Sequence, residues 1–376
     1  MNIETTFFKA TDGVDLKGVI YKTQSKTNKV LISIHGMATN CLKERDEKIA
    51  EKANELNIDF FAFNNRGHDI VNYIKKENQE KQELAGTAYE EISESYNDIV
   101  GAINYATSHG YEEIYIMGHS LGCTKTIYTY NKLIEEKQEK TLERIKGIIL
   151  LSLVDIPLAL QVYLKDDFPV MVTYAKNMKR EKMENQLMPE ESFIHPISVK
   201  TFLRYAIENK DIDFAKFLDK NYDYKEINNI KVPLFMRWGN DRELIIQKAD
   251  ELCKMVKEKI KNDKLDIGYI EGANHSYTGK EEAPEFMKAE VESFIEGLYE
   301  DQKQGEKVKV TCTKSNEGFA TAGGVQYVAC AGNFKDAGLE YTGALKEGFS
   351  YAYFIYRSSS LWAIVSCAIS GTGVSR

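Results

Sequence analysis

Along the first 300 residues the spacing of apolar and polar positions changes repeatedly, and each change marks an element. In "TTFFKATDGVDLKGVIYKT", β-branched and aromatic residues flank Asp12-Gly13, which predicts two strands joined by a turn. "KVLISIHGM" is a short continuous apolar run. The following "CLKERDEKIAEKANEL" sets Leu42, Ile49, Ala53 and Leu56 at near-helical spacing, so a strand and its crossover helix are expected. The unit recurs through "IDFFAFNNRG", the helical "AYEEISESYNDIVGAINYATSHG", "EEIYIMGHS", the helical "CTKTIYTYNKLIEEKQ" and "IKGIILLSLVD". After an interruption it resumes with "VPLFMRWGNDREL", a helix through "LIIQKADELCKMVKEKIK", "KLDIGYIEGANHS", and a last helix through "PEFMKAEVESFIEGLYE". Continuous apolar strands separated by helices suit a sheet covered on both faces. The pattern therefore predicts an α/β fold with a doubly wound, mostly parallel sheet.

Two stretches break the alternation. Residues 155–228 carry Ile156, Leu158, Leu160, Val162, Tyr163 and Phe168, then the charged "KNMKREKMENQLMPEE", then "HPISVKTFLRYAIEN". Residues 301–376 hold 10 of the 25 glycines, 3 of the 6 cysteines and none of the 6 prolines, so the composition shifts there. "DQKQGEK" reads as a linker, "KVKVTCTK" and "GVQYVACAG" as strands, and "SYAYFIYRSSSLWAIVSCAIS" as two strands around a Ser-rich turn. The expected organisation is a core from 1–154 and 229–300, an insertion at 155–228, and a linker plus small β-rich appendage at 301–376. The appendage is a candidate surface for a protein partner.

Charge and composition narrow the function. A formal charge of -8 and a pI near 5.5 argue against a nucleic-acid partner, whose phosphates call for a basic face. "MNIETTFFKATDG" lacks a positive n-region followed by an apolar run, and no stretch reaches the ~20 apolar residues of a membrane span, so a cytoplasmic protein is expected. Cys41, Cys123 and Cys253 are scattered singly without metal-type spacing, and no metal or cofactor is expected. Cys312, Cys330 and Cys367 allow at most one internal disulfide, which a reducing compartment disfavours.

The candidate chemistry centres on "IYIMGHSLGCTK", where a predicted strand runs straight into a predicted helix. Gly118, Ser120 and Gly122 form G-x-S-x-G. At such an elbow the serine takes strained dihedrals and no side chain fits two residues away on either side, which is the reason for the glycines. A hydroxyl there needs a base to take its proton and an acid to orient that base. Of six histidines, His275 is the best base, because "GANHSYTG" directly follows the last predicted strand. For the acid, Asp241 in "RWGNDREL" is the first choice, Glu243 the alternative and Asp155 a third. The order Ser120, Asp241, His275 matches the nucleophile, acid, base order of one known hydrolase arrangement.

Through "HGM", "NNRGHD", "GHSLG", "WGND" and "GANHS", in that order, the chain resembles the α/β-hydrolase superfamily over about residues 3 to 300. The acid of that family often stands three residues after the glycine, where this chain has Arg242 between Asp241 and Glu243. The resemblance implies that the backbone N–H groups of Met37 and Leu121 form an oxyanion hole, that His35 holds the oxyanion loop, and that the insertion is a helical cap over the serine. Arg66 is expected to anchor loops, and Cys123 to be a small buried filler. The implied function is a serine hydrolase of a carboxylic ester or thioester with an apolar or aromatic acyl group, acting without metal or organic cofactor. Hydrolysis of an amide or carbon–carbon bond is a sub-alternative, and a non-catalytic, partner-binding protein of the same fold is the rival.

Overall fold

In the computed structural model of the chain, the described residues are 2–207, 213–240 and 247–277, with the backbone of five strands beyond residue 318. The chain divides into two compact units, Met1–Phe294 and Ile295–Arg376.

The first unit begins with a hairpin of β1 (Asn2–Lys9) and β2 (Asp15–Lys22), turned at Gly13 with φ +85°. There follow β3 (Lys29–Ile34), α1 (Glu44–Glu55), β4 (Asp59–Asn64), a short ribbon of β5 (Asn72–Ile74) and β6 (Glu83–Ala85), and α2 (Ser95–Ser108). Next come β7 (Glu113–His119), α3 (Leu121–Glu135), α4 (Glu139–Arg144) and β8 (Ile145–Leu151). The interruption contains α5 (Ile156–Leu164), α6 (Phe168–Arg180), α7 (Val199–Ala206) and α8 (Lys225–Asn228). The core resumes with β9 (Leu234–Gly239), α9 (Ala249–Lys257) and β10 (Leu265–Ile270).

These strands form one sheet in the order β1-β2-β4-β3-β7-β8-β9-β10. β2 pairs antiparallel with β1 and β4, and every pairing from β4 to β10 is parallel. The doubly wound, mostly parallel sheet expected from the alternation is therefore present. The central strands are apolar because helices cover both faces: Val30, Leu31, Ile32 and Ile34 of β3, and Ile148, Ile149, Leu150 and Leu151 of β8, are fully buried. Phe8, Phe61 and Phe63 meet edge-on or tilted at 5.5–5.7 Å, contacts worth about 0.5–1.5 kcal/mol each beyond area burial. Because β4, β3, β7, β8, β9 and β10 run the same way, the residues after each of them gather at one edge of the sheet. Strand order reverses between β3 and β7, the kind of point where open α/β sheets bind ligands.

The structure departs from the sequence pattern between β4 and α2. The helix expected from Ala88 begins only at Ser95, after a single 3₁₀ turn at Ile92–Glu94. Residues 86–91 form a buried connection instead, in which Ala88 O accepts from Ser198 N–H (2.8 Å) and Glu90 O from the Thr201 hydroxyl (3.4 Å). Tertiary hydrogen bonds from α7 and its N-cap thus outweigh local helix propensity.

The insertion has its own apolar cluster, in which Leu160, Leu164, Ala175, Met188, Val199, Phe202 and Tyr205 pack together with Leu121 of α3 and with Met37. α7 starts at Ser198, whose hydroxyl accepts from Thr201 N–H, and α5 starts at Asp155, which accepts from Leu158 N–H.

The second unit contains an antiparallel hairpin of β11 (Phe319–Ala322) and β12 (Val325–Val328), and a three-stranded sheet of β13 (Leu339–Glu340), β14 (Tyr351–Ser358) and β15 (Leu361–Ala368). β14 and β15 pair antiparallel with Ser358 opposite Leu361, and the Ser-rich turn expected between them lies outside the described residues. The helix expected at 284–300 and the strand expected at 307–314 lie outside the described residues.

Candidate active site

Ser120 is the single residue between β7 and α3, and its backbone has φ +55° and ψ -123°. For a non-glycine residue such a conformation costs on the order of 1–3 kcal/mol and must be imposed by its surroundings. Here Ser120 N–H donates to Leu151 O (2.8 Å), and Cys123 N–H closes the first turn on Ser120 O (2.9 Å). The glycines allow the bend. A Cβ on Gly118 would lie 2.4 Å from Gly122 O, and a Cβ on Gly122 would lie 2.1 Å from Ile34 O. No side chain fits at either place, as the sequence reading required.

The loop after β3 passes directly over the elbow. A Cβ on Gly36 would fall 2.9 Å from Ser120 Cβ and 3.5 Å from Leu121 N, so only glycine permits this approach. Met37 follows it, and Ala38, with φ +50°, donates its N–H to the Thr87 hydroxyl at 2.7 Å. His35 is buried at the root of the loop. It accepts the Asn65 N–H at Nε2 (3.2 Å), which leaves the proton on Nδ1 to be donated to Gly36 O (2.9 Å). Burial, with the Lys125 charge nearby, pushes its pKa down to about 3, so the ring is neutral and acts as a strut. That is the structural role expected of it.

His275 stands in the turn after β10. Its backbone carbonyl is gripped by two buried side chains: His119 Nε2 donates to it at 2.9 Å, and Ser152 Oγ lies 3.0 Å away. The two histidine rings are 5.2 Å apart between centroids. Tyr277, fully buried, donates its hydroxyl to Arg237 O at 2.9 Å and stands 3.0 Å from Ser152 Oγ. The residue immediately before Ser120 therefore tethers the loop that carries the candidate base. Neither Ser152 nor Tyr277 was marked by the sequence, since isolated hydroxyls carry no spacing signal. The His in "GHSLG" was visible and expected to point away from the serine hydroxyl, but its partner was not legible.

Asp241 and Glu243 lie outside the described residues. The third candidate acid, Asp155, is engaged elsewhere: one carboxylate oxygen caps α5 at Leu158 N–H (3.1 Å) and the other accepts from Phe217 N–H (3.0 Å). Arg66 is buried and paired with Asp98 (2.7 Å) and Asp12 (2.9 Å), which ties the turn after β4 to α2 and to the β1-β2 turn. Cys123 is buried with its thiol donating to Leu151 O and Gly118 O, and burial pushes its pKa up, away from nucleophilic use. Among the described residues no cluster of His, Cys, Asp or Glu is arranged to hold a metal ion, and no helix is long and apolar enough to cross a membrane.

The buried histidines set a pH dependence of stability. Burial lowers His275 to about 4 and His119 well below its ordinary value, alongside His35 at about 3. Unfolding returns each ring to about 6.5, so the unfolded chain binds more protons and stability falls as pH drops below that value. Each histidine contributes a slope of up to about 1.4 kcal/mol per pH unit. Asp155 works the other way, because burial raises it to about 6 and its cost is relieved as it protonates. Asp98 is raised by burial in the same sense, but the lowered groups, which also include His195 and Asp69, outnumber these two carboxyls, so the melting temperature is expected to fall between pH 6.5 and 4.5 and to be flatter in His35→Gln. A melting temperature that holds steady across that range contradicts the assignment.

Known proteins give the same architecture. The sequence profile of the family described as "Protein of unknown function (DUF1749)" matches residues 70–296. Est1E from Butyrivibrio proteoclasticus, solved with ferulic acid, aligns over 78% of this chain and 100% of its own, with a TM-score of 0.52 and 16% identity. The siderophore hydrolase EstB from Aspergillus fumigatus aligns over 79% and 98%, with a TM-score of 0.57 and 13% identity. A soluble variant of monoglyceride lipase from Saccharomyces cerevisiae, in complex with a substrate analogue, aligns over 79% and 95%, with a TM-score of 0.53 and 13% identity. At these identities the likeness concerns the fold. Among curated sequences, Protein HypA of Clostridium perfringens is 40% identical over 83 residues, a match spanning 21% of this chain and 8% of that protein.

Proposed function

Given that the chain belongs to the DUF1749 family and has the α/β-hydrolase fold, we propose that it is a serine hydrolase that cleaves a carboxylic ester or thioester through an acyl-enzyme. The observation that carries this reading is Ser120 at positive φ on a glycine-flanked strand-to-helix turn, with Gly36 pressed against it. A hydroxyl raised in this way has no structural purpose that would offset the strain.

The chemistry follows from the residues around it. Ser120 Oγ attacks the carbonyl carbon while neutral His275 takes the hydroxyl proton. The tetrahedral oxyanion is met by the N–H groups of Met37 and Leu121. The leaving alcohol or thiol then takes the proton from His275, and water, activated by the same ring, releases the acid and restores Ser120. Asp241 orients the imidazole. Losing one oxyanion donor in such a site typically costs on the order of 10²–10³ in rate. The insertion serves as the cap, and its apolar cluster, joined to Leu121 and Met37, suits an apolar or aromatic acyl group.

The test is covalent labelling by a fluorophosphonate, read by intact mass, with turnover of p-nitrophenyl esters of increasing acyl length. A single phosphonyl adduct and ester turnover support the reading, and the chain-length profile sizes the acyl site. A folded protein that neither labels nor turns over an ester rejects it. For the acid, Asp241→Asn is expected to lower kcat by orders of magnitude while Glu243→Gln changes it little. The reverse ranking reassigns the role to Glu243.

A further inference from the structure

Beneath the oxyanion loop lies a charged pair that the proposed chemistry leaves unused. Lys125, on the first turns of α3 and five residues after Ser120, has a fully buried side chain, and its ammonium is paired with the equally buried carboxylate of Glu90. The same ammonium donates to Asn65 Oδ1 at 3.0 Å. Taking two such charges out of water is costly, and replacing them with apolar groups is often neutral or stabilising, so stability alone gives no reason for the pair.

Its connections all lead to one place. Asn65, fully buried, gives its backbone N–H to His35 Nε2, and His35 in turn donates Nδ1–H to Gly36 O, the residue against Ser120. Asn65 Oδ1 also accepts Gly67 N–H at 3.2 Å, and a Cβ on Gly67 would lie 1.9 Å from Glu90 Oε1. Thr87, three residues before Glu90, accepts Ala38 N–H from the far end of the oxyanion loop and contacts Gly67 O at 3.2 Å. Both ends of residues 35–38 are thus tied to the group of side chains organised around Lys125 and Glu90. The remaining arm reaches the insertion, through Glu90 O to the Thr201 hydroxyl, Ala88 O to Ser198 N–H, and the ion pair of Glu91 with Arg204.

We infer that Lys125 and Glu90 are positioning residues for the oxyanion loop, holding the Met37 amide in line with that of Leu121 through Asn65 and His35. The inference rests on the serine-hydrolase reading. Lys125 is carried by the same helix as the Leu121 donor, so the pair references both halves of the oxyanion hole to one rigid element. A mechanism that depends on two donors meeting one oxygen is sensitive to displacements of this loop well under 1 Å, whereas ground-state binding in an apolar site is not.

The experiment compares wild type with the paired replacement Lys125→Met/Glu90→Gln, which removes both charges at similar volume, and with Asn65→Ala, which keeps the ion pair and cuts its link to the loop. The readouts are kcat and KM on a p-nitrophenyl ester, the rate of fluorophosphonate labelling of Ser120, and the melting temperature. Expected are folded variants in which kcat and the labelling rate fall together by about 10–100-fold at a KM within about twofold of wild type. Wild-type kcat in a folded variant, or a raised KM at unchanged kcat, overturns the inference. If the paired replacement melts, Asn65→Ala decides by the same criteria. If the wild type neither labels nor turns over an ester, it is the serine-hydrolase reading that has failed, and the two failures are told apart on the wild-type sample alone.

Discussion

Ser120→Ala is expected to abolish ester turnover, lowering kcat by about 10⁴–10⁶, and to eliminate the fluorophosphonate adduct while the protein stays folded. The size of the loss follows from the division of labour proposed for the site. Removing Oγ removes the acyl-enzyme route altogether, and what remains is water attack assisted by oxyanion donors and substrate placement. The fold is expected to tolerate the change, because Ser120 is held through its backbone, by Leu151 O and Cys123 N–H, while its hydroxyl has no hydrogen bond that the elbow needs. Alanine does keep the cost of the positive φ at this position, so no stabilisation by relief of strain is expected. Intact mass after labelling, ester kinetics and a thermal melt on the same preparation check all three parts. Residual labelling at the wild-type rate moves the nucleophile to another residue.

Gly122→Ala is expected to produce the largest loss of stability of any single methyl added to the described core, about 3 kcal/mol or more, with activity lost alongside it. The new Cβ would stand 2.1 Å from Ile34 O, 2.9 Å from Ile34 C and 3.0 Å from His35 O, all of them backbone atoms at the end of β3. A flexible side chain could swing away, but a strand end in the middle of the sheet cannot do so without parting β3 from β7. Those are the two strands whose ends carry the loop at Gly36 and the elbow at Ser120. Gly110→Ala is the control. Its φ is +89°, so alanine is strained there, yet nothing lies within 4 Å and the cost is expected to be only about 1–2 kcal/mol. Thermal or urea unfolding of the two variants compares steric collision with backbone strain directly. A Gly122→Ala protein as stable as Gly110→Ala is incompatible with the close approach of α3 to β3.

The elements that the sequence made legible are those whose cause is local. The apolar runs of β3, β7, β8 and β9 signal burial on both faces wherever they occur, and the glycines at 118 and 122 report a steric requirement between residues four apart. Gly13 marked its turn in the same way. The misread stretch, from Ala88 to Glu91, has helix-forming residues and adopts another form because its carbonyls are claimed by Ser198 and Thr201, more than a hundred residues downstream. Lys125 carries no spacing signal in the sequence. Its complete burial depends on Glu90 and Asn65 arriving from two other segments, which no periodicity announces.

By itself, then, the sequence determined the α/β class, the parallel core, the elbow and the identity of Ser120 and His275 as candidates, because backbone sterics and alternating burial act over a few residues and leave their mark in spacing. Only the tertiary structure decided that Asp155 caps α5, that Arg66 is paired with Asp98 and Asp12, that His119 and Ser152 grip the His275 carbonyl, and that Lys125 and Glu90 form a buried ion pair. Those are relations between side chains brought together by folding. Their energies depend on burial and on hydrogen-bond geometry within about 3 Å, quantities that exist only once the sheet has gathered its strand ends at one edge.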